Sequence, residues 1–299
     1  MNALPALSVT FMDYDLYIGD YAYSSWSLRG WLLVHRFGLT ARSKMVPFAQ
    51  QDVTQQMAGI GAARTVPTLV IQDGSVISES AAIAEELATR HPDAGLWPAD
   101  PKARATARTL VAEMASGFTA LRSECPMSLR VCYSDSAPSA EVRADLQRLE
   151  GIWAHARAQR VSEGPWLLGE YSAADAFFAP VAGRIAGYSL PVGTAAAAYV
   201  AAHLHDTSFR QWRAMGMVHG PDLPWYRKDY PTTDWPGPTP LAAKAIETGT
   251  PENSACPYSG KAVTHLLEMD GRIFGFCNAL CRDKTVADPE AWPAFMQLV

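Results

Sequence analysis

Three groups of residues carry side chains that could do chemistry. The first is Tyr23-Ser24-Ser25-Trp26-Ser27-Leu28-Arg29, where hydroxyls crowd the passage from an extended run, Leu16-Tyr17-Ile18, into a helical one. Backbone N–H groups and the macrodipole at a helix start stabilise an anion, a thiolate included. The segment has no cysteine, so it brings hydroxyls that can donate to a sulfur arriving with a substrate. Tyr21 and Tyr23 are rival hydroxyl donors. The second group is Glu79-Ser80, a carboxylate and a hydroxyl opening another helical run. The third is Cys256, Cys277 and Cys281, spaced Cys-x20-Cys-x3-Cys. Cys277 and Cys281 fall on one face of a helical turn, and Cys256 sits in a turn before a hairpin that reaches them. Soft thiolates favour zinc or Cu(I), and a closed zinc site wants four ligands. His265 is the leading fourth candidate.

These groups need elements to hold them. Leu28, Trp31, Leu32 and His35 recur at helical spacing after the serine cluster, and Gly38 follows as a cap. His35 reads as a packed residue. From Val66 to Leu87 the chain reads strand, tight turn, strand, helix. Thr68–Ile71 is a β-branched and aliphatic run headed by Pro67, and Asp73-Gly74 makes the turn. Val76-Ile77 begins the second strand, and Ile83, Ala84, Leu87 and Ala88 lie on one face of the helix.

Val66-Pro67, Glu79-Ser80 and the Ser-Ser-x-Ser pattern at Ser24 together resemble the thioredoxin-like domain of serine-type glutathione transferases, zeta-like enzymes among them. Trp26 stands where zeta members carry a cysteine. The resemblance implies that glutathione pairs with the backbone of Val66 beside a cis Pro67. It also implies that Glu79 takes the α-amino group, that Ser80 and the helix N-terminus take the α-carboxylate, and that Ser24 activates the thiol with Ser25 beside it. The activity implied is conjugation of glutathione to a small electrophile by a homodimer. Two alternatives stand beside it: a glutathione-dependent isomerase of the zeta, maleylacetoacetate isomerase kind, and a non-catalytic metal-handling protein on the transferase scaffold.

The rest of the chain is consistent with that resemblance. Gly95–Pro101 reads as a linker, and long helical patterns continue through Ala105–Met114 and Glu141–Arg160. Ser172-x-x-Asp175 after Trp166-Leu-Leu-Gly is a capping-box pattern, which makes Asp175 structural. Glu113, Met114, Phe118, Arg122 and Arg130 are expected at the border of the cleft between domains, and Cys125 and Cys132 are read as bystanders. Six prolines and two tryptophans between 216 and 240 exclude a long helix and suggest a linker or a wrap that decouples the C-terminal tail. The tail, with Asp270-Gly271 as its hairpin turn, resembles small treble-clef-like modules known as YHS or TRASH domains. Ser259 stands where relatives with Cys-x-x-Cys have another cysteine. The fold expected is therefore an α/β thioredoxin-like domain over 14–92 and an all-helical domain over 100–215. A Pro/Trp-rich linker over 216–252 leads to the cysteine module over 253–299.

Composition narrows the class. With 299 residues, 48% hydrophobic and 18% charged, the chain is long enough for two domains and a small third. A net charge of −5 without a basic cluster speaks against nucleic acid. Met1–Leu7 lack a basic n-region and acidic Asp13 and Asp15 come soon after, so no leader is expected. The most apolar run, 195–204, falls short of the roughly 20 residues a membrane span needs. Five cysteines, three of them near the C-terminus, do not make a disulfide framework, and the cytoplasm is the compartment expected.

Overall fold

β1 (Tyr14–Ile18) buries Tyr14, Leu16 and Ile18, the alternate residues that a strand turns to one face. The computed structural model describes residues 14–299, so the reading of Met1–Leu7 and Asp13 lies outside the described residues. α1 (Ser25–His35) crosses from β1 to β2 (Ala41–Met45), which pairs parallel to β1. A short helix, α2 (Val53–Gln56), leads to the antiparallel hairpin β3 (Thr68–Ile71) and β4 (Val76–Ser78), then to α3 (Ser80–Arg90). The sheet order is β2-β1-β3-β4, and α1 and α3 pack against each other. This is the thioredoxin-like arrangement. The turn falls at Asp73-Gly74 as expected, with Gly74 at φ +88°, and the Val66-Pro67 bond is cis. Gly30 lets α1 approach it, since a Cβ there would lie 2.6 Å from the Pro67 Cβ.

The second region is helical: α4 (Pro101–Ser116), α5 (Thr119–Glu124), α6 (Ala140–Ala158), α7 (Ala173–Gly187), α8 (Thr194–His205) and α9 (Thr207–Val218). α7 is its axis. All fifteen of its residues are buried, and it touches α1, α4 and α8. The capping box at its start is formed: the Asp175 carboxylate accepts from Ser172 N at 2.9 Å, Leu167 N at 3.1 Å and Tyr199 OH at 2.9 Å.

After α9 the chain wraps back over the helices. β6 (Thr232–Thr233) pairs with β5 (Cys132–Tyr133), and Arg213 stacks on Trp235. The wrap does not decouple the tail. β7 (Lys244–Ile246), inside the stretch read as linker, is the outer strand of the tail's own sheet, β7-β8-β9, with β8 (His265–Met269) and β9 (Arg272–Phe276). α10 (Ala279–Ala287) and the turn Pro289–Ala291 then pack the tail onto α9, and α11 (Pro293–Met296) closes on that turn. Arg210 of α9 grips Asp288 with two bonds of 2.9 and 2.6 Å, and the Gln211 amide donates to the Ala291 carbonyl at 2.8 Å. A tail this small cannot bury enough apolar surface alone and uses α9 as a wall.

The Arg210–Asp288 pair is mostly buried, at 16% and 8% side-chain exposure. Asp288→Ala leaves the guanidinium only its longer contact with Glu290 and removes the side-chain acceptor of the Ala291 N–H. It is expected to lower unfolding stability by about 2–3 kcal/mol, read by chemical denaturation, and to speed proteolysis between β7 and α11. A change below about 0.5 kcal/mol would mean the pair does not hold the tail.

Candidate functional site

Ser24 is the N-cap of α1: its Oγ accepts from Ser27 N at 3.3 Å and lies 2.7 Å from Ser27 Oγ, which in turn accepts from Gly19 N at 2.9 Å. Ser24 Oγ donates its proton to Ser27 Oγ, so it must turn away from Ser27 to donate to a sulfur in the cleft. Ser25 accepts from Arg184 Nη2 at 3.3 Å. Both serines line a cavity of about 350 Å³, together with Trp26, Phe48, Arg122, Arg184 and Tyr226. The two tyrosines are less suited as donors. Tyr23 OH is engaged by Asp222 at 3.4 Å and by Leu223 N at 3.3 Å. Tyr21 is packed on Trp212 and His219, and burial raises its pKa.

Glu79 is exposed and holds φ +70°, uncommon for a residue with a side chain, immediately before α3. Ser80 is 1% exposed, and its Oγ has no hydrogen-bond partner. A buried orphan hydroxyl at a helix N-terminus, beside an exposed carboxylate, is a place where an α-amino acid moiety is bound well. Val66 and Pro67 lie just ahead of β3.

Of the five residues expected at the cleft, only Arg122 lines this cavity. Met114 and Phe118 are core, Glu113 is tied to Arg148 at 2.7 Å, and Arg130 anchors the loop after α9 through Gly216 O, His219 O, Gly220 O and Asp222. Spacing along a helix identifies a face but not which neighbour covers it. Arg184, Phe48 and Tyr226 line the cavity and were not expected. Arg184 had a signal: it is the one charged residue after Asp175 in an otherwise apolar helix. The larger cavities, of about 670 Å³ each, lie elsewhere and contain none of the serine cluster. His35 stacks on Trp31 at 4.2 Å, and burial lowers its pKa to about 4, so it stays neutral.

The sulfur atoms of Cys256, Cys277 and Cys281 lie within 4.8 Å of one another. Two thiolates bound to one tetrahedral zinc stand about 3.8 Å apart, and Cys277 and Cys281 are separated by 3.9 Å. The residues present therefore fit a soft metal. Asn278 caps α10 by accepting from Cys281 N at 2.8 Å, which fixes the last pair. Burial opposes ionisation of Cys256, but N–H groups of Tyr258 and Cys277 and the Ser259 hydroxyl outweigh it and take the thiol to about 7. Burial pushes Cys281 up, and Lys284 only partly offsets that. His265, expected as fourth ligand, is not in the group: its Nδ1 lies 2.9 Å from Thr264 Oγ1, and Thr264, not His265, reaches Cys277 through the Cys277 carbonyl. Ser259, whose Oγ is 3.2 Å from Cys277 Sγ, is the nearer oxygen. Cys125 and Cys132 are buried bystanders, with burial raising Cys125 to about 11.

Comparisons with known proteins meet this geometry at the first region. Residues 23–90 match the family model for the glutathione S-transferase N-terminal domain. A Caenorhabditis elegans protein named "Probable maleylacetoacetate isomerase" is 42% identical over 78 residues, 26% of this chain and 36% of that relative, so the match spans about a third of the relative's length. Among solved structures, a Burkholderia glutathione transferase homolog with bound glutathione is 24% identical at TM-score 0.50, covering 67% of this chain and 95% of that one. Glutathione transferase Omega 1C from Trametes versicolor is 16% identical at TM-score 0.53, covering 69% and 94%. At these identities the structures show the fold alone. Residues 23–90 thus match the glutathione S-transferase N-terminal domain, and the thioredoxin-like and helical regions together share the glutathione transferase fold.

Proposed function

We propose that the chain is a glutathione transferase that binds glutathione on the thioredoxin-like region and delivers its thiolate to a small electrophile in the cleft. The observation that carries this is the orphan Ser80 hydroxyl, buried at the start of α3 beside Glu79, on the same region as the Ser24 cap. In this reading the backbone of Val66 beside Pro67 pairs with the extended tripeptide. Glu79 holds the α-amino group, and Ser80 with the α3 N–H groups holds the α-carboxylate. Ser24 donates to the sulfur, with Ser25 beside it, and the α1 N-terminus adds its positive end. Proximity and thiolate stabilisation carry the rate. The molecule would act as a homodimer in the cytoplasm, without nucleic acid or membrane partners.

A second reading rests on the match to the Caenorhabditis elegans relative: a glutathione-dependent isomerase of the zeta kind. The two differ in stoichiometry, since an isomerase regenerates glutathione and a transferase consumes one per turnover. Trp26, where zeta members carry cysteine, favours the transferase.

Losing Ser24 removes one donor to a developing anion. Ser24→Ala is expected to raise the pKa of the bound thiol, moving the rise of the pH–rate profile to higher pH, and to cut kcat roughly ten- to hundredfold. Full activity in Ser24→Ala, with loss in Ser25→Ala or Tyr23→Phe, would move the role to that residue.

Ser80→Ala removes a hydroxyl with no partner, so unfolding stability should hold while glutathione affinity falls about tenfold. Glu79→Gln should weaken binding less, about three- to fivefold, because the group is exposed. Isothermal titration with glutathione reads both. Unchanged affinity in the pair would leave only a fold remnant.

The cysteine cluster is proposed to hold zinc through Cys256, Cys277 and Cys281, a structural ion that would supply folding free energy to the tail. Protein purified without added metal should contain about one equivalent by elemental analysis, and chelation should loosen the tail and, through α9, the helical region. Less than about a tenth of an equivalent, with the tail still ordered, would reject it.

A further inference from the structure

Many arginines of this chain end on carboxylates, such as Arg36 on Asp206, Arg108 on Glu85, Arg148 on Glu113 and Arg210 on Asp288, and others, such as Arg104 and Arg157, end singly on backbone carbonyls. Three at the cleft have no carboxylate partner among the described residues. Arg29 is 1% exposed, its Nε and Nη1 have no hydrogen-bond partner, and its guanidinium lies 4.2 Å from the centre of the Trp26 ring and 5.1 Å from that of Phe177. Arg184 donates to the Cys125 carbonyl at 3.0 Å, the Pro180 carbonyl at 3.3 Å and Ser25 Oγ at 3.3 Å, all uncharged acceptors. Arg122 makes long bonds to the Gly117 and Ala115 carbonyls at 3.3 and 3.5 Å and lies 4.9 Å from the Trp26 ring. Burial first, then repulsion from the neighbouring guanidiniums, lowers the pKa of Arg29 and of Arg184. An arginine keeps its proton in a protein, so the repulsion remains as positive potential in a place shielded from water.

That potential faces the reacting centre. Arg122 and Arg184 line the same cavity as Ser24, with Trp26, Phe48, Met127 and Tyr226 as apolar walls. Its volume of about 350 Å³ is at the small end of ligand pockets, roughly 300–1,000 Å³. We infer that the electrophile taken by this site is a small carboxylate, its anionic group seated on Arg122 and Arg184 and its reactive carbon turned toward the Ser24 end. Buried cations left unpaired by their own chain are paired by a ligand, and a guanidinium matches a carboxylate in shape and charge. The inference rests on the transferase reading for its chemistry and on the arginines alone for the anion.

The test uses a matched pair of probes, a fluoronitrobenzoate and the corresponding fluoronitrobenzamide, with the full-length protein and glutathione. In both, the glutathione thiolate forms the C–S bond at the carbon bearing fluorine. The C–F bond breaks, fluoride leaves with the electron pair, and the thiol proton goes to buffer. Each kcat/KM is divided by the uncatalysed rate constant with glutathione at the same pH. The acid should be favoured over the amide by roughly tenfold or more, and added salt should reduce that ratio. Arg184 holds three buried acceptors, so its replacement also tests folding. Arg122, half-buried at the rim, therefore carries the test. Arg122→Gln should bring the acid-to-amide ratio toward one, and Arg122→Lys should restore part of it. Equal enhancement of both probes, or a ratio unmoved in Arg122→Gln, overturns the inference while leaving the transferase reading standing. If neither probe turns over, calorimetry of unreactive nitrobenzoate and nitrobenzamide on glutathione-saturated protein decides. Preferential binding of the acid keeps the anion subsite and rejects the transferase reading, and equal binding overturns the subsite.

Discussion

Asp175 is fully buried, and its carboxylate gathers two backbone N–H groups, the Ser172 hydroxyl and the Tyr199 hydroxyl. Burial pushes its pKa up, and the four donors pull the other way. What those bonds secure is the start of α7, a helix with no solvent face that would otherwise bury orphan N–H groups. α7 is the element against which α1, α4 and α8 settle. The Ala173 N–H reaches back to the Leu96 carbonyl at 2.8 Å, fastening the interdomain linker to the same point. Position along α7 then sets where Phe177 and Arg184 stand relative to α1.

The cleft is accordingly made from two sides by rigid parts. On one, α1 begins at Ser24 and is held against Pro67 by a glycine with no room for a side chain. On the other, α7 delivers Arg184 to Ser25, and α5 delivers Arg122 to Trp26. Trp26 is thus the meeting surface of Arg29 and Arg122, one cation from its own helix and one from the helical region. An indole face attracts cations by its quadrupole, about 2 kcal/mol or more when desolvated. That attraction helps hold two guanidiniums near one ring. Trp26 therefore has a physical counterpart in the arginines around it.

Local chemistry was legible and long-range packing was not. The Asp73-Gly74 turn, the capping box at Ser172 and the hairpin at Asp270-Gly271 each depend on residues within a few positions of one another, and each stands where its pattern put it. β7 was hidden because three residues between prolines and a polar stretch carry no periodicity, and it is a strand only because β8 pairs with it. Arg184 had no part in the reading of the sequence, because its meaning comes from Ser25, 159 positions earlier. His265 was preferred as a ligand on residue type, whereas the hairpin brings Thr264 to Cys277.

The tail shows the same limit at larger scale. Prolines predict where a helix cannot run, and they say nothing about whether the next module stands off or folds back. Here it folds back: Phe274, Phe276 and Phe295 stack on one another inside the tail, and α10 packs against α9. α9 serves both neighbours: Arg210 and Gln211 hold the tail, while Trp212 packs on Tyr21 and Trp31 at 4.6 and 5.6 Å. Gly216 lies so close to the loop before α1 that a Cβ would sit 3.1 Å from Ala22 N. One turn of one helix therefore separates the contacts that hold the cysteine module from those that shape the backbone leading into Ser24. The tail that carries the thiol cluster and the loop that leads into Ser24 thus pack on the same helix.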